Sequence, residues 1–119
     1  MSWRSHGHDN ASLVDALVRN GILTTPSVID AMRAVDRGLF LSGESSSRSA
    51  YEDAPQRLSH AATISAPHMH GYCLELLAGH LTTGSKCLDV GSGSGYLTAG
   101  TISFFLSFFL SLFTDDDSE

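Results

Sequence analysis

Lys86-Cys87-Leu88-Asp89-Val90-Gly91-Ser92-Gly93-Ser94-Gly95 joins a short, mostly apolar strand candidate, 86–90, directly to a glycine loop. Three alternating glycines follow an acid at the end of that strand. Glycine lets the chain turn sharply and lets a ligand approach bare backbone. The amides of Gly93 to Gly95 are expected to open a helix, whose N-terminus carries partial positive charge.

Several ligands use such a loop. A phosphate-cradling P-loop needs lysine and then serine or threonine after the last glycine, and Tyr96-Leu97 stand there instead. A dinucleotide fingerprint needs G-x-G-x-x-G, and Tyr96 occupies the place of its third glycine. The observed D-x-G-x-G-x-G suits S-adenosylmethionine, which has no pyrophosphate but offers an ammonium and a carboxylate. Asp89 can meet the ammonium, directly or through water, while the loop amides face the carboxylate. A tight strand-to-helix turn with no ligand is the plain alternative.

Upstream, Met69, Tyr72, Cys73, Leu76 and Leu77 recur at helical spacing and predict a helix from Pro67 with one apolar side. Ser65 or Ala66 is placed near its cap, and Gly79 is a stop signal. Thr82-Thr83-Gly84-Ser85 makes a turn. Ser12 is a candidate cap for a helix over Leu13–Asn20, with Leu13, Val14, Leu17 and Val18 inward and Asn20-Gly21 as its stop. Thr25-Pro26 opens a second helix, threonine capping the free amides and proline having no amide to lose. Val28, Ile29, Met32 and Val35 form its expected buried stripe. Asp36 and Arg37 suit a structural ion pair or cap as well as a substrate contact. Ser42 to Ala50 reads as a serine-rich surface loop, and Tyr51 to His60 as irregular.

The chain has 119 residues and a net charge of -6. That size predicts one small domain. Four of the 13 acids lie in the last five residues, so the body carries 7 basic against 9 acidic residues. No basic excess points to nucleic acid. Cys73 and Cys87 form no disulfide framework or metal-ligand spacing. They read as two buried thiols in a reducing compartment. The polar N-terminus lacks the apolar core of a signal peptide, which points to the cytoplasm. His68 and His70, two apart, point to different sides of a helix and make a poor metal pair. No metal is expected. The long apolar run, Ile102–Phe113, is shorter than the roughly 20 residues of a membrane span, so a membrane span is not expected.

Longer motifs carry a family resemblance. Ala62-Thr63-Ile64-Ser65-Ala66-Pro67-His68-Met69-His70, continuing through Leu74-Glu75-Leu76-Leu77, is the strongest of them. Its register to Leu88–Gly95, together with Ser2-Trp3-Arg4-Ser5, Leu17–Ile22 and Ala34-Val35-Asp36-Arg37, resembles the protein-L-isoaspartate (D-aspartate) O-methyltransferases of animals. The resemblance runs from Met1 to about Ala99. Gly43–Arg48 looks like an insertion. Leu58-Ser59 stand where the family shows an apolar residue followed by glycine.

The resemblance implies an α/β, Rossmann-like methyltransferase fold, here its N-terminal part. Residues 1–60 are expected as a helical and loop region. Residues 61–99 carry the active-site segment, helix, first strand and glycine loop. The tail, 100–119, is expected to lie outside the family fold. The resemblance also implies methyl transfer from S-adenosylmethionine to the α-carboxylate of L-isoaspartyl and D-aspartyl residues in damaged proteins and peptides. Ser65 matches the active-site serine, between cofactor and acceptor; an ordinary cap to the Pro67 helix is the alternative from the residues alone. The cofactor set implied is Ala62, Thr63, Ile64, Ser65, His70, Asp89, Gly91, Ser92, Gly93, Ser94 and Gly95. No later segment with an acid for the ribose hydroxyls is present in this sequence.

After Ala99 the composition changes. Five of the six phenylalanines fall in the last 16 residues, among leucines and serines. Phe, Leu and Ser share pyrimidine-rich codons, so translated intron or a mispredicted exon end is the expected origin of this tail. A helix from Gly95 to Phe113, with Phe105, Leu106, Phe109, Leu112 and Phe113 on one face, is the alternative. The alternative functions are a non-catalytic isoform binding a partner through the Phe-rich tail and a membrane-associated fragment.

Overall fold

The computed structural model describes residues 4–41, 49–59, 61–82 and 84–114, with side chains described as far as Phe105. Ser2-Trp3, most of the serine-rich stretch and the acidic end, 115–119, lie outside the described residues.

Helix α1, Asn10–Arg19, begins earlier than its apolar pattern suggests. Asp9 is the N-cap, and its carboxylate accepts from the Ser12 amide at 2.8 Å. The Ser12 hydroxyl accepts from the Asp9 amide at 3.1 Å. Ser12 is therefore the third residue of a reciprocal capping box, not the cap. The other end closes as expected. The Ile22 amide donates to the Leu17 carbonyl and the Gly21 amide to the Val18 carbonyl. Gly21 takes φ 73, the left-handed conformation this Schellman closure requires. Leu13, Val14, Ala16 and Leu17 are buried, whereas Val18 faces out.

Helix α2, Pro26–Ala34, starts with proline at its first turn. Thr25 makes no side-chain cap bond to it. Its hydroxyl is drawn away to Glu75, 50 positions later. Val28, Ala31 and Met32 are buried, while Ile29 and Val35 are only partly so. Asn10 ties the start of α1 to the end of α2, donating to the Met32 and Arg33 carbonyls at 3.1 and 3.3 Å.

A 3-10 turn, Arg37–Phe40, follows. The Asp36 carboxylate caps it, accepting from the Gly38 amide at 2.9 Å and the Tyr51 hydroxyl at 2.7 Å. That same carboxylate, with burial adding to it, pushes the Tyr51 hydroxyl up to about 12. A second 3-10 turn covers Ser49–Tyr51. Strands β1, Gln56–Arg57, and β2, Thr63–Ile64, then pair antiparallel, Gln56 opposite Ile64 and Arg57 opposite Thr63. In their connection Ala61 holds φ 58.

Helix α3, Pro67–Leu77, lies where the spacing placed it, but only Cys73 and Leu77 of its expected apolar side are half-buried, Leu77 against the core, and the fully buried residues are others. Met69, Tyr72 and Leu76 are more than half exposed. Pro67, His68, His70, Gly71 and Leu74 are buried. The inward histidines are tolerated because each meets a polar partner. The inward glycine lets Leu23 come close.

Lys86–Val90 is not a strand. It belongs to no ladder among the described residues, and Leu88 and Val90 are each 85% exposed. A parallel strand exists only beside a neighbour that takes up its amides and carbonyls. Helix α4, Tyr96–Thr114, follows the glycine loop. It packs chiefly along α2 and touches α3. Tyr96, Thr101 and Phe104 are buried on it and Phe105 partly so. Of the face proposed for this helix, Leu106, Phe109, Leu112 and Phe113 carry side chains outside the described part. The core gathers Leu13, Val14 and Leu17 of α1, Val28 and Met32 of α2, Leu74 of α3 and Phe104 of α4, with Leu23 and Leu81 between them.

Candidate active site

The hairpin and the N-terminus of α3 place Thr63, Ile64 and Ser65 against the glycine loop. A cavity of about 210 Å³ separates them. Nine of the eleven expected cofactor residues line it: Thr63, Ile64, Ser65, His70, Asp89, Gly91, Ser92, Gly93 and Ser94. Ala62 lies outside, against a different cleft beside Arg57 and Leu58. Gly95 also lies outside. Its amide donates to the Ser92 carbonyl at 2.9 Å and closes the turn before α4, so it is not offered to a ligand. Helix α4 starts at Tyr96, not at Gly93 to Gly95.

Gly91, Gly93 and Gly95 hold φ of 80, 57 and 86. These values lie in the left-handed region, so the glycine spacing is a backbone requirement of the loop. Asp89 accepts from the Thr98 hydroxyl through Oδ2 at 2.6 Å. That bond anchors the acid to the first turn of α4.

The floor of the cavity escaped the sequence reading. Tyr96 and Leu97 join the lining from α4, and Met69 and Cys73 from α3. Beneath them Arg37 is fully buried. Its Nε donates to the Ala50 carbonyl at 3.0 Å and one terminal nitrogen to the Ala54 carbonyl at 3.4 Å. The guanidinium lies 5.5 Å from the centre of the Tyr96 ring. Burial lowers the Arg37 pKa, against the opposing pull of Tyr96 and Asp53. His70 packs edge-on to Tyr96, ring centres 4.9 Å apart, and faces Arg37 through Nδ1 at 3.5 Å. Burial first, then the Arg37 charge, pushes the imidazole down to about 4, with Asp89 opposing. Burial also pushes the Tyr96 hydroxyl up to about 12. His70 and Tyr96 are therefore both uncharged at neutral pH.

His68 faces elsewhere, as the spacing of two requires. Its backbone amide and ring Nδ1 meet Asp53 Oδ1 at 2.9 and 2.7 Å. Asp53 is buried, and its Oδ2 has no hydrogen-bond partner among the described residues. The Asp53 bond supplies the helix-end contact that Ala66, a cap without a polar side chain, cannot make. His68 and Ser65 line a second cavity, about 640 Å³ and largely apolar, with Ile22, Pro55, Met69 and Tyr72 on its walls. Ser65 thus borders both cavities and is exposed to them.

A model of the protein-L-isoaspartate(D-aspartate) O-methyltransferase family matches residues 8–109. The chain belongs to this family. A protein-L-isoaspartate O-methyltransferase of Caenorhabditis elegans is 52% identical over 98 residues, covering 82% of this chain and 41% of the relative. One from Arabidopsis thaliana is 52% identical over 90 residues, 76% of this chain and 38% of the relative. A solved Plasmodium falciparum chain described as a protein-L-isoaspartate O-methyltransferase, in complex with S-adenosyl-L-homocysteine, superimposes with a TM-score of 0.74 at 40% identity. It covers 85% of this chain and 44% of that one. The chain spans about 40% of the length of the curated relatives it matches, and its α/β architecture is the N-terminal part of the family fold. Among the described residues no group of three or more His, Cys, Asp or Glu is placed to hold a metal, and no helix is long and apolar enough to cross a membrane.

Proposed function

We propose that this chain carries the donor and acceptor entrance of a methyl transfer from S-adenosylmethionine to the α-carboxylate of L-isoaspartyl and D-aspartyl residues in damaged proteins. The observation that carries this reading is the position of Ser65 on the wall of two cavities, one closed by the glycine loop and one largely apolar. The first has the polar groups for the methionine end of the cofactor: the Asp89 carboxylate to accept from its ammonium and the loop amides to donate to its carboxylate. When bound, the cofactor supplies an electrophilic methyl group on a sulfonium.

The acceptor carboxylate is already ionised near pH 7, so the chain need not supply a strong base. Its work is alignment, which is worth about 7–11 kcal/mol for well-oriented reactants. The Ser65 hydroxyl donates to the acceptor carboxylate and orients it without becoming a nucleophile. The apolar walls of the second cavity exclude water beside that carboxylate. Residues 61–99 are assigned this chemistry, and 1–60 the packing beneath it. Isoaspartyl proteins and peptides are the partners, and neither nucleic acid nor metal is called on. A cytoplasmic location suits the two free thiols, although they are not the buried pair expected: Cys73 is half-buried and Cys87 exposed.

The test offers the 119-residue chain S-adenosylmethionine with a labelled methyl group and an isoaspartyl peptide, the matched aspartyl peptide serving as control. S-adenosyl-L-homocysteine binding is the expected result, and label in the isoaspartyl peptide alone would show the chain active by itself. Absence of both transfer and S-adenosyl-L-homocysteine binding would sink the reading.

A further inference from the structure

We infer that Arg37 is a positioning residue for the glycine-loop cavity, holding His70 in the Nε2–H tautomer so that the ring offers the cavity a neutral donor. This rests on the reading of that cavity as a cofactor site.

A guanidinium has five N–H donors and no acceptor. The nitrogen of His70 that faces it, Nδ1 at 3.5 Å, must therefore present a lone pair. A neutral imidazole with its lone pair at Nδ1 carries its hydrogen at Nε2. The guanidinium cannot turn away to relieve this constraint. The Ala50 and Ala54 carbonyls hold it on one side, the Tyr96 ring lies 5.5 Å from it, and the side chain is fully buried.

The groups facing His70 are Arg37 from the turn after α2, Tyr96 from α4 and Asp89 from the glycine loop. Asp89 alone favours the imidazolium. Burial and Arg37 outweigh it and keep the ring neutral down to about 4. The cavity thus has one acid, Asp89, and no histidine cation competing with a ligand ammonium for it.

The test is a long-range proton–nitrogen NMR spectrum of the full chain with labelled histidine near pH 7, without ligand. His70→Gln identifies the His70 signals by their loss. The expected pattern is a protonated Nε2 and a bare Nδ1, unchanged down to about pH 5. An Nδ1–H tautomer, or an imidazolium at pH 7, would overturn the inference. In Arg37→Met the Nδ1–H form is expected to appear and the His70 titration to move upward. If that variant does not fold, the wild-type spectrum still decides. Calorimetry with S-adenosyl-L-homocysteine supplies a second readout. His70→Gln keeps a donor at the Nε2 position and should bind within about threefold of wild type, whereas His70→Asn should lose about tenfold or more. Equal losses in both variants would overturn the donor role. Failure of the wild-type chain to bind counts against the cofactor reading alone, and the tautomer spectrum still decides the inference.

Discussion

At Ser65 one hydroxyl borders two cavities, so its removal tests their connection more sharply than any change of shape. A hydrogen bond to a charged group contributes about 1.5–3 kcal/mol. Ser65→Ala should therefore lower kcat/KM for an isoaspartyl peptide by roughly 10- to 100-fold while leaving the thermal midpoint in place. An unchanged kcat/KM would remove Ser65 from the acceptor role. Gly7 is a residue of the opposite kind, with no chemistry but no spare room. A Cβ there would fall within 3.0 Å of backbone atoms of Ser12 and Leu13, at the first turn of α1. Backbone cannot swing aside as a side chain can. The Gly7 amide also donates to the Tyr51 carbonyl at 2.9 Å, which pins it. Gly7→Ala should cost about 1–3 kcal/mol in denaturant unfolding, the usual range for overpacking. A cost within experimental error would show that the N-terminal segment can shift.

Among the elements, the contact between α3 and the start of α2 is made by a carboxylate. Glu75 accepts from the Thr24 and Thr25 amides at 2.7 and 2.8 Å and from the Thr25 hydroxyl at 2.5 Å. An acid there also suits the positive end of α2. Burial raises the Glu75 pKa, but these hydrogen bonds outweigh it and hold the carboxyl below its ordinary 4.5. The stabilisation is therefore fully present above the unfolded value and is lost as pH falls through the lower, folded value. Glu75→Gln should cost about 1 kcal/mol near pH 7, since the group is partly exposed. Unfolding free energies for the two proteins should converge as pH falls through the lowered, folded value, and a gap that widens on acidification would contradict this account. In the β1–β2 connection Ala61 holds a positive φ, which is costly for a residue with a Cβ. Ala61→Gly should stabilise by about 0.5–1 kcal/mol, the strain relieved less the entropy glycine adds to the unfolded chain. A lower melting temperature would sink that reading. Helix α3 shows where sequence reading stops. Its spacing located the helix, yet Met69, Tyr72 and Leu76 point outward while His68 and His70 point in. Periodicity reports two faces and does not say which one finds partners. Asp53 and Arg37 make the polar face the buried one.

For the molecule as a whole, α1, α2 and the first turns of α4 form the packed body, and Lys86–Val90 lies largely outside it. Leu88 and Val90, both 85% exposed, present apolar surface with no ladder partner among the described residues. Such a surface favours association. The double variant Leu88→Thr, Val90→Thr should weaken concentration-dependent association in sedimentation velocity and change stability by less than about 0.5 kcal/mol. Unaltered association would place the sticky surface elsewhere. The glycine loop, the helix starts at Pro26 and Pro67 and the Asn20-Gly21 stop were legible because each acts within a few residues of itself. So was most of the rim of the cavity between the hairpin and the glycine loop, because the family motif and the glycine spacing are contiguous in the chain. Tertiary structure alone decided that Arg37 is buried under His70, that Asp53 holds the start of α3, that Thr25 serves Glu75 and not its own helix, and that 86–90 pairs with nothing described. Those contacts join residues from 15 to 50 positions apart. The sequence names both partners but not their meeting, because a hydrogen bond between distant groups forms only where the packing of helices has already removed water from both.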